Sequence, residues 1–189
     1  MIATAPAMHY VCTHDEAREL CSGRSPLWVS NCGCREGKGA CGRSRMDVCV
    51  MFTGDQPGSG SGKREISPEE MAEILQVARA KGLVARPFRD ESRKETVGVC
   101  FCCDDCCAYF LSPEERCDPG TSRERTDMEA CTHCGACVDV CFFKARVMTG
   151  ETLKLDRKRC YGCGLCVPAC PVGCVQMVPR KGRGACPSP

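Results

Sequence analysis

"CTHCGACVDVC" at residues 131–141 returns as "CYGCGLCVPACP" at residues 160–171. Each stretch reads C-x2-C-x2-C-x3-C. Three sulfurs this close in sequence cannot pair among themselves without strain, because a disulfide fixes the spacing of both its α- and β-carbons. They can converge on one small inorganic object if the backbone loops around it. Gly135 and Gly164 each follow the second cysteine of their run. A glycine there permits the tight turn and lets backbone amides come close. N–H groups aimed at such an object stabilise its negative charge and help set its potential.

The composition agrees with this reading. Of 189 residues, 22 are cysteine, above the ~8–10% that marks a cysteine-based scaffold. Aromatic residues make up 5%, and the 43% hydrophobic fraction includes the cysteines. The expectation is a fold that leans on something besides apolar burial. The net charge is +2 with both signs interspersed, so no strong field points to nucleic acid or to a membrane surface. The opening MIATAPAMHY has neither a basic leader region nor an apolar core and does not read as a secretory signal. No stretch approaches the ~20 apolar residues of a membrane span. The expected location is therefore cytoplasmic, without membrane insertion. Disulfides do not persist there, which makes the sulfurs thiols or thiolate ligands.

The two runs resemble the two-cluster bacterial ferredoxins, in which the fourth cysteine of each run serves the other cluster. The resemblance covers residues 128–178. It implies that Cys131, Cys134, Cys137 and Cys170 hold one [4Fe-4S] cluster and that Cys160, Cys163, Cys166 and Cys141 hold the second. Crossed ligation of this kind makes metal binding and folding one event. The second run ends Cys170-Pro171, as the family does, whereas Phe142 stands after Cys141 where proline is usual. That proline fixes a turn and is not a ligand. Cys174 occupies a place where the family has a small apolar residue, and it reads as packed near a cluster without ligating it. Zinc is the alternative, but zinc knuckles pair C-x2-C units across a wider gap. Val147-Met148 and Leu153–Leu155 around Thr149-Gly150-Glu151 read as a hairpin, with Phe142 and Phe143 helping to exclude water. His133, between two ligands, is either a tuner of potential or a solvated side chain.

The remaining cysteines form looser groups. Cys32, Cys34, Cys41 and Cys49 lie in an N-terminal module, residues 1–53. Gly33 would let Cys32 and Cys34 turn to one side, and Gly37, Gly39 and Gly42 read as a pliable loop. Cys100, Cys102, Cys103, Cys106 and Cys107 fall in "VCFCCDDCC". Adjacent cysteines do not readily bind the same site, so some of these should face away. Together these nine are candidates for one or two further [4Fe-4S] clusters or for a structural zinc. Cys12, Cys21, Cys117 and Cys186 read as unligated thiols, and His9 and His14 as surface histidines rather than ligands.

Between the cysteine groups, Thr13–Glu16 fits a capping box opening a short helix that ends near Ser22-Gly23. Leu27–Val29 reads as a strand, residues 54–65 as a Gly/Ser-rich flexible linker, and Val97–Phe101 as another strand. Residues 66–83 carry the clearest helix: Ser67 at the N-cap, Pro68 at the first position, Glu70 closing a capping box, Ile66 and Met71 as a staple, an apolar face of Met71, Ile74, Leu75 and Ala78, and Gly82 past its end. Residues 66–127 are expected to pack with 1–53, and 179–189 to form a mobile tail. The order of these pieces resembles a group of iron–sulfur proteins of anaerobic bacteria, in which a C-x-C segment, a helix ending "GLV" and a C-x-C-C-x-x-C-C run precede a two-cluster ferredoxin domain. The implied fold class is α+β: a ferredoxin-like 2[4Fe-4S] domain preceded by a small irregular cysteine-rich module with a few helices.

No nucleophile–base pattern, dinucleotide fingerprint or P-loop is present. GSGSGK at 58–63 lacks the strand and the Ser/Thr that a phosphate loop needs. The function expected is electron transfer without a catalytic site of its own. The partner would be a redox protein or a larger anaerobic oxidoreductase that holds this chain as a polyferredoxin-type subunit. The alternative is a redox-sensing or regulatory module with structural zinc in its N-terminal part.

Overall fold

The computed structural model describes residues 5–112 and 115–180, and the chain divides into two units, Met1–Asp118 and Pro119–Pro189. Cys186 and the greater part of the expected C-terminal tail lie outside the described residues.

The first unit contains β1 (His9–Tyr10), α1 (His14–Cys21), β2 (Leu27–Asn31), α2 (Gly33–Lys38), β3 (Asp47–Met51), β4 (Arg64–Ile66), α3 (Pro68–Ala80), β5 (Val84–Arg89), β6 (Thr96–Cys102), α4 (Ala108–Leu111) and β7 (Cys117–Asp118). Its strands form one seven-stranded sheet in the order β4-β2-β3-β6-β5-β1-β7. Every pairing is antiparallel except β1 with β7. The expectation of a small irregular module is therefore corrected. Val11, Val29, Val50, Val84, Val99, Ile74 and Leu83 are fully buried, and each contributes about 1.5–3 kcal/mol on leaving water. These β-branched and aliphatic residues build an ordinary sheet core. The cysteines are added to that core and do not replace it.

The helices form where their ends are satisfied. Thr13 Oγ1 accepts from the Glu16 N–H at 3.2 Å, and the Glu16 carboxylate accepts from the Thr13 N–H at 2.7 Å. That reciprocal box opens α1. At α3, Ser67 Oγ accepts from the Glu70 N–H at 3.2 Å. The Glu70 carboxylate turns away to Arg64 instead, accepting at 2.8 Å, so the second half of the expected box is replaced by an ion pair. The helix ends on Gly82, whose φ is +60°. There the Leu83 N–H reaches the Ala78 carbonyl at 2.9 Å and the Gly82 N–H reaches the Arg79 carbonyl at 3.2 Å, a doubly bonded left-handed stop. Met71, Ile74 and Ala78 are the buried face.

Residues 54–63 lie inside the first unit and are tied down onto α2. The Glu36 carboxylate accepts from the Ser61 N–H at 2.8 Å and from Asn31 Nδ2 at 2.7 Å, while the Asn31 N–H donates to the Ser61 carbonyl at 2.9 Å. Gly33 is a position of close approach: a β-carbon there would lie 2.2 Å from the Ser59 carbonyl oxygen. Gly37 falls within α2 and Gly39 caps it at φ +82°. They shape a helix where a pliable loop was expected.

The second unit contains β8 (Ser122–Thr126), α5 (Ala136–Asp139), β9 (Arg146–Thr149), β10 (Thr152–Leu155) and β11 (Val175–Pro179). The β9–β10 hairpin pairs Thr149 with Thr152 around Gly150-Glu151, and β8 pairs antiparallel with β11 from Ser122↔Pro179 to Thr126↔Val175. The two cysteine runs lie between these two-stranded ladders in sequence.

Two glycines of the first unit should respond to alanine with opposite signs. A β-carbon on Gly98 would lie 2.2 Å from Phe88 Cζ and 2.3 Å from the Val50 carbonyl oxygen, so Gly98→Ala overpacks the sheet and should cost about 1–3 kcal/mol. Gly37 sits in a helix with nothing within 4 Å, and Gly37→Ala should be neutral or stabilise by up to about 1 kcal/mol. Anaerobic denaturant unfolding of both variants checks the pair.

Candidate metal centres

The second unit brings cysteines of the two runs together. Cys131, Cys134 and Cys137 line one cavity with Cys170, which comes from the other run, and Cys174 lines it too. Gly135, at φ +79°, caps the short helix α5 that carries Cys137. The His133 N–H donates to Cys131 Sγ at 3.4 Å. His133 itself has φ +53°, and its Nδ1 accepts the Leu153 N–H at 3.1 Å. It fastens the ligand loop to the hairpin, a role that the sequence reading did not consider. Cys174 Sγ lies 3.5 Å from Cys170 Sγ. Burial, and then the neighbouring Cys170, push the Cys174 thiol up to about 12.

The second thiol group is Cys141, Cys160, Cys163 and Cys166. Burial pushes Cys163 up to about 12, and Cys166, Cys141 and Cys160 are all near enough to add to the shift. Cys166 is likewise raised to about 12 by burial. The Ala145 N–H donates to Cys141 Sγ at 3.3 Å. Phe142 and Phe143 are buried, and Phe143 stacks on Tyr161 with centroids 4.5 Å apart and planes 8° off parallel. Gly162, at φ +86°, allows the second run to pass against β8, since a β-carbon there would lie 2.1 Å from the Ser122 carbonyl oxygen. The small cavity lined by Cys131, Cys134, Cys137 and Cys170, and the amide N–H groups aimed at Cys131 and Cys141, suit clusters that take one thiolate on each iron.

Arg146 was not legible as a site residue. It is 2% exposed, and its guanidinium donates to Cys137 Sγ at 3.2 Å, to Glu124 Oε2 at 2.8 Å and to Thr126 Oγ1 at 2.8 Å. Cys166 of the other thiol group also acts on it electrostatically. A buried cation thus faces both sulfur groups and is balanced by Glu124, which is 3% exposed. Nothing in a sequence distinguishes an arginine that opens a hairpin strand outward from one that turns inward.

The first unit sorts its nine candidate cysteines into three sets. Cys102 and Cys107 join Cys32 and Cys34, and Cys103 and Cys106 join Cys41. Each adjacent pair of the "CFCCDDCC" run is therefore split between two sets. In the first set, hydrogen bonds from Cys107 and Cys32 hold Cys34 down to about 2, while Cys32 and Cys107 are correspondingly raised. Hydrogen bonding to Cys107 lowers Cys102 to about 7. Arg86, 2% exposed, donates to Cys107 Sγ at 3.2 Å and to Cys102 Sγ at 3.7 Å, and pairs with Glu115 at 3.1 Å. In the second set the ligand atoms of Cys41, Cys103, Asp105 and Cys106 all lie within 4.8 Å of one another. The third set is a pair across β3 and β6, Cys49 opposite Cys100, with sulfurs 3.5 Å apart. Cys49 is pulled down to about 6 by its bond with Cys100.

Cys12 and Cys21 are buried in the core of the first unit, and burial pushes Cys21 up to about 12. Cys117, raised to about 11 by burial, sits near Arg86. His9 pairs with Glu115, and His14 is lowered by burial and stacks on Phe101 at 6.4 Å.

Arg146 and Glu124 should be strongly coupled. Arg146→Met leaves the buried Glu124 carboxylate with the Thr126 hydroxyl and the half-exposed Arg157, at 3.1 Å, and should destabilise the chain by about 3–5 kcal/mol. Adding Glu124→Gln should recover much of that loss, which a thermal-unfolding double-mutant cycle measures.

Among the described residues, no helix is long and apolar enough to cross a membrane. A search of curated proteins returned no match to the chain. Residues 130–174 match the family model of the 4Fe-4S dicluster domain, the stretch that holds both thiol groups of the second unit.

Proposed function

We propose that this chain relays single electrons through two [4Fe-4S] clusters in a ferredoxin-like arrangement at residues 128–178. Cys131, Cys134, Cys137 and Cys170 would hold one cluster, and Cys160, Cys163, Cys166 and Cys141 the other. The observation that carries the reading is that Cys170 lines the cavity of the first run, with Cys131, Cys134 and Cys137. The clusters supply the redox chemistry. The chain positions the thiolates, limits water through Phe142, Phe143 and Leu165, and sets the local field. Arg146 favours the more negative, reduced state of a cluster bound beside it. Cys32, Cys34, Cys102 and Cys107, with Arg86 against them, would hold a further cluster. The resulting protein serves as the electron-transfer subunit of a larger anaerobic oxidoreductase in the cytoplasm, and needs no catalytic residues of its own.

Anaerobically purified protein should be brown, with about 8 Fe per chain from the two clusters and about 12 if the first unit carries its own. Ligand swapping is read by EPR in a Cys174→Ala background, so that the sulfur beside Cys170 cannot replace it. There Cys170→Ser should perturb the same cluster signal as Cys134→Ser, and Cys163→Ser should perturb the other. If Cys170→Ser acts with Cys163→Ser instead, the crossed assignment is wrong. In the same samples, Arg146→Met should shift at least one cluster to lower potential, and adding Glu124→Gln, which removes the opposing charge, should offset part of that shift.

A further inference from the structure

We propose that Cys41, Cys103, Asp105 and Cys106 form a mononuclear, zinc-type site in the first unit, separate from any iron–sulfur cluster. This rests on the geometry of these groups and not on the electron-relay reading. Cys41 Sγ lies 3.8 Å from Cys103 Sγ and 3.9 Å from Asp105 Oδ1, and all four ligand atoms fall within 4.8 Å of one another. A tetrahedral ion with metal–sulfur bonds of about 2.3 Å sets neighbouring sulfurs about 3.8 Å apart. A cubane places a different iron under each thiolate and spreads the sulfurs wider. The spacing therefore fits one ion.

The surroundings are arranged for a ligand set with excess negative charge. Arg35 is fully buried. It donates to the Phe101 carbonyl at 3.1 Å and to the Arg45 carbonyl, and its guanidinium lies against Cys103. Carbonyls do not neutralise a buried cation, and the sulfurs of Cys103 and Cys41 within its reach would do so once a metal holds them as thiolates. The Gly42 N–H donates to Asp105 Oδ2 at 3.1 Å. That leaves Oδ1 turned toward Cys41, with a backbone donor orienting the carboxylate as a ligand. Lys38 Nζ lies 3.8 Å from Asp105 Oδ2 and donates to the Asp105 carbonyl at 2.6 Å. Cys103 and Cys106 are buried, whereas Cys41 and Asp105 are half-exposed, so an ion can enter from the Asp105 side. Zinc outranks ferrous iron for such a donor set.

Full-length protein, purified anaerobically and treated with zinc chloride and then desalted, is assayed for zinc and iron by mass spectrometry. The site predicts about one zinc per chain, with an X-ray absorption edge fitted by three sulfurs near 2.3 Å and one oxygen. Cys106→Ser should lose that zinc. Asp105→Ala, which removes no buried sulfur, should weaken zinc binding by more than the ~10–100-fold that loss of an outer-shell partner costs. Iron should stay at the parent value in both, and circular dichroism matching the parent reports that the first unit folds. Three results would overturn the site: no zinc in the parent protein, zinc unchanged in both variants, or iron falling in step with the lost ligand. A parent iron content that misses the cluster count would refute the relay reading and leave the zinc result standing.

Discussion

Gathering several ionised thiols within a few ångströms of one another costs free energy unless something positive is placed among them, and that constraint organises both units. Ionised sulfurs repel, and neutral buried ones forgo the charge that would make them ligands. Burial, with the neighbouring thiols adding to it, raises Cys163, Cys166 and Cys174 to about 12. A bound metal reverses this by taking the thiolate directly, and folding and metal binding then become a single equilibrium.

The protein also meets the constraint with its own side chains. Arg35, Arg86 and Arg146 are each buried, and each faces a different set of sulfurs. Arg86 and Arg146 have carboxylate partners, Glu115 and Glu124, so their charge is shared between oxygen and sulfur. Arg35 has backbone carbonyls and Cys103. A guanidinium is always charged and presents its donors in a rigid fork. Its presence beside sulfur is a statement about the charge that the sulfur carries. For a centre that changes charge by one electron, a fixed cation in a low-dielectric site moves the potential directly.

Local chemistry was legible and long-range grouping was not. The capping residues Thr13, Glu16 and Ser67, the Gly82 stop and the Thr149–Thr152 hairpin could be read because each depends on neighbours within a few positions. The seven-stranded sheet was not legible: β1, β4 and β7 are too short to show a period, and the sheet order brings β6 between β3 and β5. The same limit governs the cysteines. Spacing groups Cys32, Cys34, Cys41 and Cys49 as one candidate set, whereas the β3–β6 pairing sends Cys49 to Cys100 and the turn at 103–106 sends Cys103 and Cys106 to Cys41. Asp105 was missed because a carboxylate next to a cysteine gives no signal until the fold aims it. Gly33 reads in sequence as a bend that turns Cys32 and Cys34 to one side; the two do share a set, and the approach of Ser59 leaves no room for a β-carbon between them.

The central claim is that sulfurs from both C-terminal runs close around two neighbouring clusters. EPR of the dithionite-reduced full-length protein tests it most directly, because two paramagnetic clusters built from interleaved ligands must sense each other. The account predicts that the partly reduced spectrum of isolated spins broadens and splits as the second cluster takes its electron. Two spectra that simply add at every stage of reduction, or a single cluster signal throughout, would contradict it.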